Sequence, residues 1–445
     1  MQALERLERR FARVLDEAVG KRELKRLVIA YSGGADSSAL LHLAVRYAQK
    51  KNLDSACVHV DHGLTPESSS WSVHCVEFAR SLGVPIEVLA VEEKCPAGAS
   101  VEAWAREQRY RLTLSALARG DGLLTAHHED DQAETVLARM FAGAGPHGLA
   151  GTRKDKVQGG FPVLRPLLEE SRSTLQAYCT RHGLAWIEDP MNFDRRFDRT
   201  AIRHDILPAV DQFNAAARRN MARSAAIQEE IAAYLDSVCG DIFARHCRAP
   251  MQIPVSVIDA QPALLQKMLI RHLAVSNGLD VPGARHIKEA LRQFCGEDAA
   301  GSGCVNWGSN QIRKYRGHLY AVSARNLECR PNAQRIAPEE DVTFPGGIVR
   351  LTYRGKVGLA PNCLNDEDVV VRFRSGGECL RPSGRNGSHT LKKLFQEWGV
   401  PPWQRAFVPL IYIGDEIAAV ADYCLCDPFV SGNEAGLSVV WESRP

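Results

Sequence analysis

The chain lacks any apolar run approaching the roughly 20 residues that a bilayer-spanning helix needs, because charge interrupts its longest apolar stretches well before that length. Its first residues, Met1 to Leu15, alternate Glu and Arg on an amphipathic helical pattern and do not read as a secretion signal. Neither a signal peptide nor a membrane anchor is expected. A surplus of either charge is also missing: 55 Lys and Arg stand against 53 Asp and Glu, so a polyanion would have to be met by a local basic surface. The 13 cysteines include no CxxC and no Cys/His group at zinc spacing, and the one close pair is Cys424 and Cys426. That pattern speaks against a disulfide framework, a structural zinc and an iron–sulfur cluster, and it fits reduced thiols in a cytoplasmic protein. Gly (35) and Pro (22) hold an average share, which excludes collagen-like repeats and wholesale disorder.

What is present is length: 445 residues exceed what one hydrophobic core organises, so two or three domains are expected. From Leu24 to about Asp189 short β-branched runs (LVIAY, ACVHVDH, PIEVLAV, GLLTAHH) alternate with helical stretches. This is the pattern of βαβ units, and it predicts an N-terminal α/β domain with a doubly wound, mostly parallel sheet that binds ligands at the carboxyl ends of its strands. Gln212 to Cys239 contains neither Gly nor Pro and reads as a long helix opening a mainly helical second domain, whose end near Gly301 to Ser323 turns strand-like. Arg325 to Asp341 loses periodicity and reads as a linker, followed by a small α+β C-terminal domain of short strands and one helix. The expected boundaries are 1–211, 212–324, 325–343 for the linker, and 344–445.

The sharpest local signal is Ser32-Gly33-Gly34-Ala35-Asp36-Ser37, between the strand LVIAY and the following helix. Two glycines let backbone N–H groups crowd an anion, the serines add donors and the helix N-terminus adds a favourable dipole, so the loop reads as a pyrophosphate cradle. No Lys follows as in GxxxxGK[ST], and Asp36 makes sense there if Mg²⁺ bridges it to phosphate; the alternative is a strand-to-helix turn with Asp36 as a capping acid. In His59-Val60-Asp61-His62-Gly63-Leu64, Asp61 and His62 suit a nucleotide's base or ribose as well as an Asx turn with Gly63 at positive φ. Arg106 and Arg111 have carboxylates at i−4, Glu102 and Glu107, whereas Arg109 has none at helical spacing, so phosphate recognition stands beside an exposed surface Arg. In His127-His128-Glu129-Asp130-Asp131-Gln132-Ala133-Glu134-Thr135, acids crowd the first turn of a helix. Capping accounts for part of this, but the like-charged Asp130 and Glu134 at i,i+4 favour a cation: Mg²⁺ coordination or amine deprotonation by Asp130 and Asp131, with His127 nearby. Gly143 to Gly151 reads either as a loop able to close over substrate or as a surface turn.

The glycine loop resembles the SGGxDS signature of the PP-loop ATP-pyrophosphatase superfamily. Together with HVDHGL, AREQRY, HHEDDQAET, Asp189-Pro190 with Asn192 leading to Arg199 and Arg203, and the C-terminal RPSGRNGSHTLKKLFQEWGVPPW, it resembles the tRNA(Ile)-lysidine synthetase family over nearly the whole chain. One position departs from that pattern: Thr200 follows Arg199 where the family usually has Asn. The resemblance implies ATP and Mg²⁺ as cofactors, tRNA(Ile) with a CAU anticodon and L-lysine as substrates, and formation of lysidine at C2 of the wobble cytidine through an adenylated intermediate. It implies a nucleotide site at Ser32, Gly33, Gly34, Ala35, Asp36, Ser37, Asp61 and His62, catalytic roles for Asp36, Arg109, His127, Asp130 and Asp131, and metal ligation by Asp36 and Asp131. A homodimer is compatible with all of this. The alternatives are a tRNA thiolase of the same superfamily, which would use paired cysteines, and a non-catalytic RNA-binding protein with a vestigial nucleotide fold.

Two stretches answer the need for a local basic surface. Arg195 to Arg223 holds seven arginines against three aspartates, with Arg196, Arg199 and Arg203 at i, i+3 and i+7 on one helical stripe. Val371 to Arg405 holds five Arg and two Lys against two Glu, with Phe373, Phe395, Trp398 and Trp403 interleaved. Arg372, Arg374, Arg381, Arg385, Lys392 and Lys393 are the RNA-binding candidates there, set against a solvated face whose aromatics are core.

Overall fold

The computed structural model describes the chain except residues 1, 64–67, 97, 99, 189–197, 248–251, 297–302, 325–330, 345, 356–357, 365–368, 432–435 and 444–445, and except the side chains at 102, 198, 354, 355, 364 and 443. It divides into two compact units, Met1–Ala233 and Tyr234–Pro445. Asp189, Pro190, Asn192, Arg195, Arg196 and the side chain of Glu102 therefore lie outside the described residues.

In the first unit α1 (Gln2–Arg22) buries Leu7, Phe11, Leu15 and Ala18, one stripe at helical spacing. There follow β1 (Arg26–Ala30), α2 (Ala35–Lys51), β2 (Asp54–Asp61), α3 (Ser68–Ser81), β3 (Ile86–Ala90), α4 (Val101–Ser115), β4 (Asp121–Leu124), α5 (Glu129–Phe141), the short α6 (Pro146–Leu149), β5 (Asp155–Gln158), β6 (Phe161–Leu164) and α7 (Arg172–Arg181). The sheet order is β3-β2-β1-β4-β6-β5, parallel throughout except that β5 pairs antiparallel with β6. Both faces are covered: Leu27 and Ile29 of β1 enter the core that α1, α2 and α7 close, while Val28 turns to the opposite face with Val58, Leu123 and Val163. That two-sided burial is why β1 is apolar without alternation. The chain winds from β1 outward to β2 and β3, then crosses back to β4 on the other side of β1. The loops leaving β1 and β4 thus diverge and open a crevice at the switch point of the sheet.

Three short pieces follow: α8 (Asp198–Ala201), a π-helical turn (Ile202–Ile206) and α9 (Leu207–Phe213). The 30-residue α10 (Ala217–His246) matches the Gly- and Pro-poor stretch and runs from the first unit into the second.

In the second unit, α11 (Val255–Asp259), α12 (Ala263–Ser276) and α13 (Ala284–Phe294) pack with an antiparallel sheet ordered β7-β10-β9-β8, from β7 (Gln252–Pro254), β8 (Cys304–Trp307), β9 (Asn310–Tyr315) and β10 (His318–Ser323). Beyond it, β11 (Gln334–Arg335), β14 (Val369–Arg372), β17 (Leu410–Ile413), β18 (Glu416–Val420) and β19 (Cys424–Leu425) form one sheet in that order. A second sheet joins β12 (Asp341–Phe344), β13 (Gly347–Gly355) and β20 (Gly436–Ser443), and a hairpin of β15 (Cys379–Leu380) and β16 (His389–Thr390) leads into α14 (Leu391–Glu397). The stretch read as a linker differs where it is described: Gln334 and Arg335 pair with β14, and Ile336 is buried in the sheet's core. An apolar residue at one position suffices to dock a segment whose periodicity is too short to read.

Candidate active site

The loop after β1 has the backbone its glycines suggested. Gly33 sits at φ +81°, and a Cβ there would lie 3.0 Å from Cys75 Sγ and 3.3 Å from Ile187 Cδ1, so any larger residue is strained twice over. Gly34 caps α2 in an extended conformation. Ser37 Oγ donates to Gly34 O at 3.0 Å and accepts from Ser32 Oγ at 3.1 Å, which folds the loop over the N-terminus of α2. Asp36 does not cap the helix. Its Oδ2 lies 3.3 Å from His128 Nε2, and its Oδ1 is buried without a hydrogen-bond partner among the described residues.

His128 caps the N-terminus of α5, across the crevice, and the sequence reading passed over it in favour of His127. Its Nε2 is 3.3 Å from Asp36 and 3.5 Å from Asp131 Oδ2, and its Nδ1 is 3.6 Å from Asp130 Oδ2. Burial opposes the imidazolium, but the charge of Asp131, the hydrogen bond and charge of Asp36, and the charge of Asp130 together raise it to about 9. Asp131 is subject to the same contest: burial pushes its carboxyl up, while the charge of His128, the His128 backbone N–H at 3.1 Å and Arg203 hold it below the usual range. His127 points elsewhere, its Nδ1 2.9 Å from Thr125 Oγ1, and burial pushes it down to about 3, so it is neutral.

The crowded acids of α5 meet cations from later in the chain. Asp130 accepts from the Arg172 backbone N–H at 2.9 Å and from Arg218 of α10, which also grips Asp211. Glu134 is fully buried and accepts both arms of Arg203, at 2.6 and 3.1 Å. Arg203 also reaches within 3.6 Å of Asp131, and Arg199 donates to Thr135 Oγ1 at 2.7 Å. Arg199 and Arg203 thus lie against α5, Arg199 from α8 and Arg203 from the π turn at Ile202–Ile206. Glu134, Arg203 and Arg218 were not singled out as a set. The spacing of Asp130 and Glu134 was a signal for cations, but nothing in one dimension says which arginines arrive.

On the other side of the phosphate loop, Arg109 of α4 donates from Nε to His62 Nε2 at 3.2 Å, joining two motifs 47 residues apart in sequence. Burial and the neighbouring Arg109 charge push His62 down to about 4. Asp61 makes the Asx turn, accepting from Gly63 N at 2.9 Å with Gly63 at φ +60°. Gly143 to Gly151 contains α6, and just beyond it Gln132 accepts from Thr152 N at 2.7 Å and donates to Thr152 O at 3.1 Å.

Among the described residues no cluster of three or more His, Cys, Asp or Glu is arranged to hold a metal ion. Mg²⁺, however, keeps several waters and phosphate oxygens and needs only one or two carboxylates. Asp36 and Asp131 converge on the one point that His128 Nε2 fills, and the orphaned Asp36 Oδ1 offers a donor, so the pair fits that ion.

Of the C-terminal candidates, Arg381, Lys392 and Lys393 are exposed, Arg372 lies over the Tyr412 ring with Asp415 3.8 Å away, Arg374 is 3.8 Å from Glu378, and Arg385 is 2.6 Å from Glu397. Arg405 is buried, donating to Val400 O. Phe395 is core, and Trp398 stacks on Tyr423 at 5.2 Å.

The chain matches a PP-loop domain model over residues 4–210, a TilS substrate binding domain over 254–320 and a TilS substrate C-terminal domain over 369–441. It is 37% identical to the tRNA(Ile)-lysidine synthase of Alkalilimnicola ehrlichii over 88% of each chain. The corresponding protein of Coxiella burnetii is 34% identical over 92% of each, and that of Methylococcus capsulatus 34% over 88% of this chain and 90% of its own. A phosphate loop at the switch point, acids near it at the start of α5, and similarity that runs through all three regions lead to one assignment: the chain belongs to the tRNA(Ile)-lysidine synthase family.

Proposed function

We propose that this protein joins L-lysine to C2 of the wobble cytidine in tRNA(Ile) bearing a CAU anticodon, at the expense of ATP. One observation carries the reading: Asp36, in the first turn of α2 after β1, and His128 and Asp131, at the start of α5 after β4, meet across the switch point of the sheet. The C2 oxygen attacks the α-phosphorus and pyrophosphate departs; the lysine ε-amine then attacks C2, the C2–O bond breaks and AMP leaves with the oxygen. Ser32 to Ser37 cradle the phosphates through backbone N–H groups and the α2 N-terminus. Asp36 and Asp131 would hold Mg²⁺, which supplies charge neutralisation on the departing pyrophosphate. Arg109, which donates to neutral His62, would give its remaining N–H groups to phosphate oxygens.

Lysine's amine, with an ordinary pKa of about 10.4, reacts as the neutral base. Once bonded to C2 its nitrogen is far more acidic, so a carboxylate held ionised, Asp131, suffices to take the proton. Asp130 is the weaker candidate because Arg218 and the Arg172 N–H occupy it. A thiolase reading has less support: Cys57 and Cys75 are buried with thiols pushed up to about 12, and Cys179 to about 11. The test is mass spectrometry of tRNA(Ile) incubated with the protein, ATP and isotopically labelled lysine. Label in the wobble nucleoside is expected; unlabelled or thiolated tRNA overturns the proposal.

A further inference from the structure

A cleft of about 1240 Å³ in the first unit lies between α1, the start of α10 and the first turn of α5. Arg6 and Arg9 line it from α1, and Arg219 and Arg223, one helical turn apart, line it from α10. All four are exposed. Among the described residues no carboxylate forms an ion pair with Arg6, Arg9, Arg219 or Arg223, and Arg9 donates to the Glu5 carbonyl at 3.3 Å.

The cleft also contains acids, and most of them are already committed. Glu169 pairs with Lys154 and Arg10, Glu170 with Arg10 at 3.1 Å, and Glu229 lies 3.8 Å from Arg153. Burial pushes the carboxyls of Glu129, Glu170 and Glu229 up, while the charge of Arg219 acts on Glu129 and that of Arg6 on Glu170 without an ion pair forming. The cations left over are therefore the four arginines, on two facing walls. Glu129 and Gln132 line the cleft from the start of α5, so it borders the helical turn that carries Asp130 and Asp131.

We infer that this cleft holds the phosphodiester backbone of the tRNA strand that delivers the wobble nucleotide to the crevice. Guanidinium groups on two walls suit phosphates spaced along a strand, and they position without reading sequence. The inference rests on the proposed function for the identity of the RNA. It assigns the first unit's RNA contact to α1 and the outer face of α10, while Arg199 and Arg203 serve α5.

The test compares the wild type with Arg6→Glu/Arg219→Glu and with Arg80→Glu, an exposed arginine on α3 outside the cleft. For each, the affinity for transcribed tRNA(Ile) is measured across salt concentrations, ATP affinity is measured separately, and folding is checked by circular dichroism. The double variant is expected to bind tRNA at least tenfold more weakly, with a salt slope shallower by roughly 0.7 to 0.9 per lost contact, and with unaltered ATP affinity. Unchanged tRNA affinity and slope in the folded double variant, or an equal change in Arg80→Glu, overturns the inference. If the wild type makes no lysidine while the double variant still loses tRNA binding, the cleft stands and the reaction assignment falls.

Discussion

At the scale of single residues, the site is a balance of buried charges. Three aspartates surround His128, and the protonated ring stands where a cation would sit between Asp36 and Asp131. Asp36→Ala is expected to abolish lysidine formation while leaving the circular dichroism spectrum near wild type, because Oδ1 makes no internal bond and His128, the partner of Oδ2, keeps Asp130 and Asp131 beside it. Wild-type turnover in that variant at saturating ATP and Mg²⁺ would remove Asp36 from the reaction. Arg203→Ala has the opposite profile. It strands the fully buried Glu134, and breaking such a pair costs about 3 to 5 kcal/mol. Urea denaturation should show that loss, and the Arg203→Met/Glu134→Leu double variant should recover much of it, since two apolar side chains leave no charge unpaired. Recovery absent from the double variant would mean that the two residues are held by something besides each other.

At the scale of elements, the face a segment packs decides what its cations meet. Arg199 of α8 and Arg203 of the π turn between α8 and α9 lie against α5, so they meet Thr135 and Glu134. In the C-terminal region α14 buries Leu391, Leu394 and Phe395, so Lys392 and Lys393 face outward. If that face meets tRNA, Lys392→Glu/Lys393→Glu should weaken tRNA binding and flatten its salt dependence by roughly 0.7 to 0.9 per lost phosphate contact. ATP affinity, carried by the other unit, should not change. Identical binding isotherms across salt concentrations would mark α14 as a solvated face.

At the scale of the whole first unit, stability has a pH dependence set in the core behind the phosphate loop. His42 of α2 bonds through Nδ1 to the Tyr178 hydroxyl of α7 at 2.8 Å, with the His182 ring 5.0 Å away. Burial, then the charges of His182 and Arg46, lower His42 to about 4. The unfolded chain takes up this proton near pH 6.5 and the folded chain only near 4, so the contribution of His42 is fully present above 6.5 and is lost as pH drops from 6.5 to 4. Denaturation midpoints across that window should decline in the wild type and decline less in His42→Phe. Parallel curves for the two proteins would assign the acid sensitivity to other groups.

The strand and helix alternation, the glycine loop, the long helix and the order of the family's motifs were legible because each rests on local chemistry: φ freedom at Gly33, apolar runs for two-sided burial, helix propensity without Gly or Pro from 212 to 239. The Asx turn at Asp61 and the absence of a helical carboxylate partner for Arg109 were local in the same sense. What only the tertiary structure decided is which distant groups share a buried volume. His128 rather than His127 faces Asp36 because neighbouring side chains at a helix start leave the chain in different directions. Arg203, 69 residues from Glu134, and Arg218, 88 from Asp130, neutralise acids that in one dimension looked repulsive. Arg405, one more cation in a basic run, turns inward for the same reason: charge is written in the sequence, but burial and pairing are properties of the folded chain.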